Sequence, residues 1–127
     1  MSMTIEDQIH EFCADARWRP GSGTYGIVMP SLEQAERDAW PTVLAYGRMY
    51  GAKINRLNFA IQLRNDARIR VFGADVPNLM RGTKFTSVLI LGCTDRDQIL
   101  ESLSVDYADS YPDLPRPRFG LGDIDEQ

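Results

Sequence analysis

The sequence is poor in the side chains that most often hold metals or form covalent links, with one histidine, His10, and two cysteines, Cys13 and Cys93, in 127 residues. That set cannot complete the tetrahedral Cys/His shell of a structural zinc site, nor the multiple disulfides that staple small secreted domains. Two buried thiols are the expected state of the cysteines. Long hydrophobic runs are also missing. No apolar stretch approaches the roughly 18 to 20 residues that cross a bilayer, and Met1 to Asp7 is acidic where a signal peptide is basic. The expectation is a protein with no membrane contact and a cytoplasmic location.

What remains is ordinary globular material: 43% hydrophobic and 25% charged residues, in a chain long enough for one compact domain. The charge is partitioned. Residues 1–46 carry seven acids and three bases, residues 47–84 two acids and eight bases, and residues 85–127 nine acids and three bases. A net charge of -4 thus conceals a basic middle third. Such a block can face a phosphate backbone or an acidic protein, or be one solvated face.

Thr4 followed by Asp7 forms a capping-box pattern, and Ile5, Ile9, Phe12, Cys13 and Ala16 then recur at helical spacing, so a helix is predicted from about Ile5 to Trp18. Pro20-Gly21-Ser22-Gly23 breaks it. Thr24 to Met29 is a short apolar run suited to a central strand, ended by Pro30. Ser31 with Gln34 opens a second helix through about Met49, with Leu32, Ala35, Ala39, Val43, Leu44 and Tyr46 inward, a kink or split at Pro41, and a stop at Gly51. From Leu57 the period becomes two, with Phe59, Ile61 and Leu63 facing one way and Asn58, Gln62 and Arg64 the other. Asn65-Asp66 supplies a turn, and the alternation resumes from Arg68 to Phe72, which predicts an antiparallel hairpin with Arg64, Arg68 and Arg70 on its polar face. A loop from Gly73 to Gly82, with one helical turn in it, leads to a second core strand at Ser87 to Leu91. Thr94 with Asp97 is a third capping-box pattern, predicting a helix to about Val105 with Ile99, Leu100 and Leu103 inward. The predicted fold is α/β: a small partial sheet with parallel core strands, an antiparallel hairpin and flanking helices. It occupies residues 1–105, and an acidic, proline-containing tail follows at 106–127.

The run from Thr24 through Pro30-Ser31-Leu32-Glu33-Gln34-Ala35 to Trp40, the segment Phe59 to Phe72, and Gly73-Ala74-Asp75-Val76-Pro77-Asn78-Leu79-Met80-Arg81-Gly82 before an apolar strand together resemble the ATPase domain of phage terminase large subunits. These are the motors that package DNA. In that family a strand ends in a Pro-Thr-like corner, a helix carries Gln-Ala and then Trp, and Gly-Ala-Asp-x-Pro-x-x-Leu-Arg-Gly leads into the Walker B strand. The resemblance spans about Glu6 to Leu91, roughly two thirds of the chain, and implies a partial RecA/terminase-like sheet and a bacterial host cell.

The departures from the family concern its chemistry. No glycine-rich loop with the phosphate-binding lysine and its hydroxyl neighbour stands in the sequence; Gly21-Ser22-Gly23 precedes a strand instead of opening a helix and has no adjacent lysine. Where Walker B ends in Asp-Glu, holding magnesium and positioning the attacking water, the alignment places Leu91-Gly92 or, shifted by one, Gly92-Cys93. Asp95 is the nearest acid and belongs to a helix start. His10 has no nucleophile partner, and Cys93, although near a helix N-terminus, has no placed base. The chain is therefore expected not to be an enzyme, with no catalytic, cofactor-binding or metal-binding residue.

Two functional expectations follow. The first is a non-catalytic phage-type protein that binds, and inhibits or modulates, a host or phage protein, such as an anti-CRISPR-like blocker of host defence or an inhibitor of host replication. Its acidic residues Asp106, Asp109 and Asp113, with Asp123, Asp125 and Glu126, would meet a basic groove. The second is a DNA-binding or packaging accessory protein using Arg64, Arg68, Arg70, Arg81 and Lys84 on phosphates. A fragment receiving its P-loop from another polypeptide would still lack the magnesium ligands. An exposed sheet edge gives a route to a homodimer by strand addition.

Overall fold

A computed structural model describes residues 4–19 and 23–105. The first helix, α1 (Ile5–Trp18), starts where the capping box places it: the Thr4 hydroxyl accepts from the Asp7 amide at 3.0 Å and the Asp7 carboxylate accepts from the Thr4 amide at 3.4 Å. A cap of this kind stabilises a helix by about 1 kcal/mol. Ile9, Phe12, Cys13 and Ala16 are buried as the period requires, whereas Ile5 is exposed. The strand β1 (Thr24–Met29) follows, then α2 (Leu32–Asp38) and α3 (Trp40–Met49). Pro41 divides these two helices by sitting in the first turn of α3, where a missing N–H leaves no bond unmade.

The second cap is half of the expected box. Ser31 Oγ accepts from the Gln34 amide at 3.0 Å, but the Leu32 amide donates to Asp75 Oδ1, 43 residues away, at 2.9 Å. Gly73 makes that approach feasible, because a Cβ there would collide with the Leu32 backbone. The Gly-Ala-Asp segment thus closes the N-terminus of α2 with a carboxylate, which the helix dipole favours.

Beyond α3 the chain forms a meander, β2 (Lys53–Asn55), β3 (Ala60–Gln62) and β4 (Arg68–Gly73). The antiparallel hairpin is present as β3–β4, but the strand predicted from Leu57 begins only at Ala60, because residues 56–59 turn back from β2. Asn55 Oδ1 accepts from the amides of Leu57 and Asn58, both at 3.1 Å, and Phe59 takes a left-handed φ of 52° to enter β3. A single 3-10 turn (Pro77–Leu79) interrupts the following loop. Next come β5 (Lys84–Phe85), β6 (Ser87–Ile90), α4 (Arg96–Glu101) and β7 (Ser104–Val105). The helix predicted to run to Val105 ends at Glu101, and residues 104–105 pair in parallel with β5. Its N-cap is Asp95, which makes no side-chain capping bond, so the expected Thr94/Asp97 box is not formed.

The architecture is α/β. Five strands lie in the order β2-β3-β4-β1-β6, with β1 between β4 and β6 and parallel to both, and with β2–β3 and β3–β4 antiparallel. One sheet face, carrying Tyr25, Ile27, Met29, Ile61, Ile69 and Val71, is buried with the apolar stripes of α1, α2 and α3. The opposite face is treated unevenly. Val28, Phe72, Val88 and Ile90 are sealed in a smaller cluster with Met80, Phe85 and Ile99, where the Phe72 and Phe85 rings meet edge to face at 5.5 Å. Over β2, β3 and the first half of β4 none of the described helices lies on that face.

Candidate functional site

The strand register dictates what the open face displays. Arg68 pairs with Gln62 and Gln62 with Lys53, while Arg70 pairs with Ala60 and Ala60 with Asn55. Paired residues share a face, so Lys53, Asn55, Gln62, Arg68 and Arg70 stand side by side above the small Ala60. With Asn58 they line a groove of about 430 Å³ that, among the described residues, contains three cationic and three amide side chains and no acid.

The cations of this groove have no acidic partner among the described residues, whose ion pairs include Arg19–Asp15 and Arg37–Asp38 but none with Lys53, Arg68 or Arg70. Arg70 is the most constrained. Its guanidinium carbon lies 4.9 Å from the Phe72 ring centroid, and its Nε is buried without a hydrogen-bond partner among the described residues. Burial first, and the neighbouring Arg68 charge second, pull the Arg70 pKa below the ordinary arginine value. A guanidinium remains protonated in such a place. Its desolvation and like-charge repulsion are therefore unfavourable free energy that an incoming anion would offset.

The five basic residues singled out in the sequence fall in three places. Arg68 and Arg70 share the open face. Arg64 does not, because β3 ends at Gln62 and the Asn65–Asp66 turn, with Asp66 at a φ of 70°, carries it around the rim. It lines a second basin of about 680 Å³ with Arg17, Arg48, Met49, Tyr50 and Asn65. Arg81 and Lys84 border a third, shallow pocket of about 250 Å³ with Met80, Gly82, Thr83 and Ser102. Asp106, Asp109, Asp113, Asp123, Asp125 and Glu126 lie outside the described residues. Sequence reasoning missed Lys53 and Asn55 as partners of the arginines. The alternation from Leu57 puts Asn58 and Gln62 on the polar side, whereas the three residues of β2 show no period that would add Lys53 and Asn55 to it.

At the end of β6, where the resemblance would put Asp-Glu, Leu91 is buried, Gly92 has a φ of 72°, and Cys93 Sγ lies 3.7 Å from the Leu91 carbonyl oxygen. Among the described residues, no three His, Cys, Asp or Glu side chains form a group that could hold a metal ion. Cys13 is buried, and its desolvation pushes the thiol pKa up. His10 is exposed, its ring 5.9 Å from that of Tyr46. No helix of the described residues is long and apolar enough to cross a membrane. Comparison of the chain with protein-family models, curated proteins and solved structures gives no match.

Proposed function

We propose that this chain is a non-catalytic binding module that grips the phosphate backbone of nucleic acid on the open face of its β2–β3–β4 meander. One observation carries the reading: Lys53, Arg68 and Arg70 converge without an acidic partner among the described residues, and the Nε of Arg70 is buried and unsatisfied. Phosphate oxygens would satisfy these donors, and Asn55, Asn58 and Gln62 add amides that hydrogen-bond sugar or phosphate. Binding of this kind positions a strand and reads little sequence.

The ordered motifs that resemble a terminase ATPase fit the same proposal, as a relative that keeps a place beside DNA without turning over ATP. Support comes from the sequence, which has no phosphate-loop lysine and carries Leu91-Gly92 in place of the Walker B acids. The alternative, an inhibitor meeting a protein through Asp106, Asp109 and Asp113, rests on residues outside the described range.

Fluorescence anisotropy of a labelled duplex tests the proposal. With three duplex phosphate contacts, log K should fall against log salt with a slope of about -3. Arg68→Ala with Arg70→Ala should reduce that slope by about 2 while the fold persists. Absence of binding at low salt, or a slope that the double variant leaves unchanged, would contradict it.

A further inference from the structure

The second basin has a composition that the sheet face lacks. Arg17, in the last turn of α1, is sandwiched between two aromatic rings, its guanidinium carbon 3.9 Å from the Tyr50 centroid and 4.3 Å from that of Trp18. Its Nε donates to the Tyr46 hydroxyl at 3.1 Å, which fixes the plane of the group. Arg64 lies along Gly51, with Nη2 3.0 Å from where a Cβ would stand, so the open space at that glycine is already used to seat a guanidinium. Arg48 adds a third from the last turn of α3. Among the described residues no acid lines the basin and none of the three arginines is ion-paired.

Trp18 is 72% exposed, which is unusual for the largest apolar side chain, and it forms the outer ring of this stack. An arginine-rich basin bordered by an exposed aromatic face offers two things at once: charge for a phosphate and a flat platform for a base. The basin also adjoins the basic groove. Gly51 belongs to the basin and Lys53, two residues on, to the groove, as Arg64 and Gln62 do just beyond and at the end of β3, so the two surfaces meet around one end of the β2–β3 pair.

We infer that this chain binds single-stranded nucleic acid, whose phosphates run from Lys53, Arg68 and Arg70 around the rim to Arg17, Arg48 and Arg64, and whose unpaired base stacks on Trp18. The inference rests on the proposed role of the sheet face and names the form of nucleic acid that it takes. A duplex keeps its bases stacked internally and presents none to Trp18. A single strand can turn the corner between the two surfaces and expose one.

Trp18 is its own reporter. The only other tryptophan, Trp40, is 7% exposed in the core, so emission quenched by a ligand comes from Trp18. Titration with an oligothymidylate should quench this emission, and Trp18→Phe should abolish the change while retaining most of the affinity. Trp18→Ala should weaken oligothymidylate binding at least about fivefold, the low end for loss of one stacked base, and lower the ratio of single-strand to duplex affinity accordingly. Arg64→Ala should reduce the salt slope by about 0.7, the single-strand value for one phosphate. Equal affinity for single strand and duplex with Trp18 emission unmoved would overturn the inference and leave the sheet-face reading intact. Binding of neither oligonucleotide at low salt would overturn both. Displacement of the oligonucleotide by polyglutamate at equal charge would overturn both in favour of an acidic protein partner.

Discussion

The two halves of the sheet are built to opposite rules. In the parallel half, β4-β1-β6, both faces are covered, one by three helices and the other by the Phe72–Phe85 cluster. In the antiparallel half, β2-β3-β4, one face is buried and the other carries Lys53, Arg68, Arg70 and three amides. This is the general habit of parallel and antiparallel pairing, but here the boundary falls within a single strand. On the same face of β4, Arg68 and Arg70 lie in the open groove and Phe72, two residues further, is wholly buried. The sealed half should therefore govern stability and the open half binding.

Phe72→Ala is the largest test of the sealed half. It removes a ring from a packed cluster and should destabilise the protein by about 3–5 kcal/mol, measured by urea denaturation. Gly73→Ala drives a methyl into the start of α2 and should cost about 1–3 kcal/mol in the same assay. In the open half, Arg68→Ala with Arg70→Ala should leave the protein folded, the exposed Arg68 contributing no more than about 0.5 kcal/mol. That pair instead should weaken nucleic-acid binding on the order of tenfold at low salt. Were it to unfold the protein, the division between the two halves would be wrong.

Asn65→Ala probes the joint between the meander and the helices. Its amide donates to the Ala16 and Arg17 carbonyls at 3.0 and 3.1 Å, closing the C-terminus of α1, and its Oδ1 accepts from the Ala67 amide at 3.2 Å. Loss should cost about 1–2 kcal/mol and, by loosening Arg17, weaken oligothymidylate binding more than duplex binding. The smallest effect is chemical. Cys13 is wholly buried on the inner side of α1 with its thiol pKa raised, so native-state thiol reagents should label only the half-buried Cys93, and Cys13 should react on unfolding.

Local pattern was enough for much of the fold. The capping box at Thr4, the division at Pro41 and the alternation of Ile69 and Val71 against Arg68 and Arg70 each depend on neighbours a few residues apart. β2 was hidden because three residues with one apolar side chain, Ile54, show no period. Its pairing with β3 is held by Asn55 and the left-handed Phe59, and a phenylalanine gives no warning of such a conformation. The site was legible only in part for the same reason. Alternation assigned Arg64 to the polar face with Arg68 and Arg70, but a period holds only while the strand lasts, and β3 stops two residues earlier. The stack of Trp18, Arg17 and Tyr50 joins residues from α1 and the end of α3, a proximity that no window of sequence contains.

The most direct test of the division is to map backbone amide shifts by heteronuclear NMR while titrating oligothymidylate at low salt. Shifts concentrated at Lys53, Asn55, Gln62, Arg68 and Arg70, and continuing to Trp18 and Arg64, are the predicted result. Shifts confined to β6, α4 and the loop bearing Arg81 and Lys84, or none at all, would contradict the account.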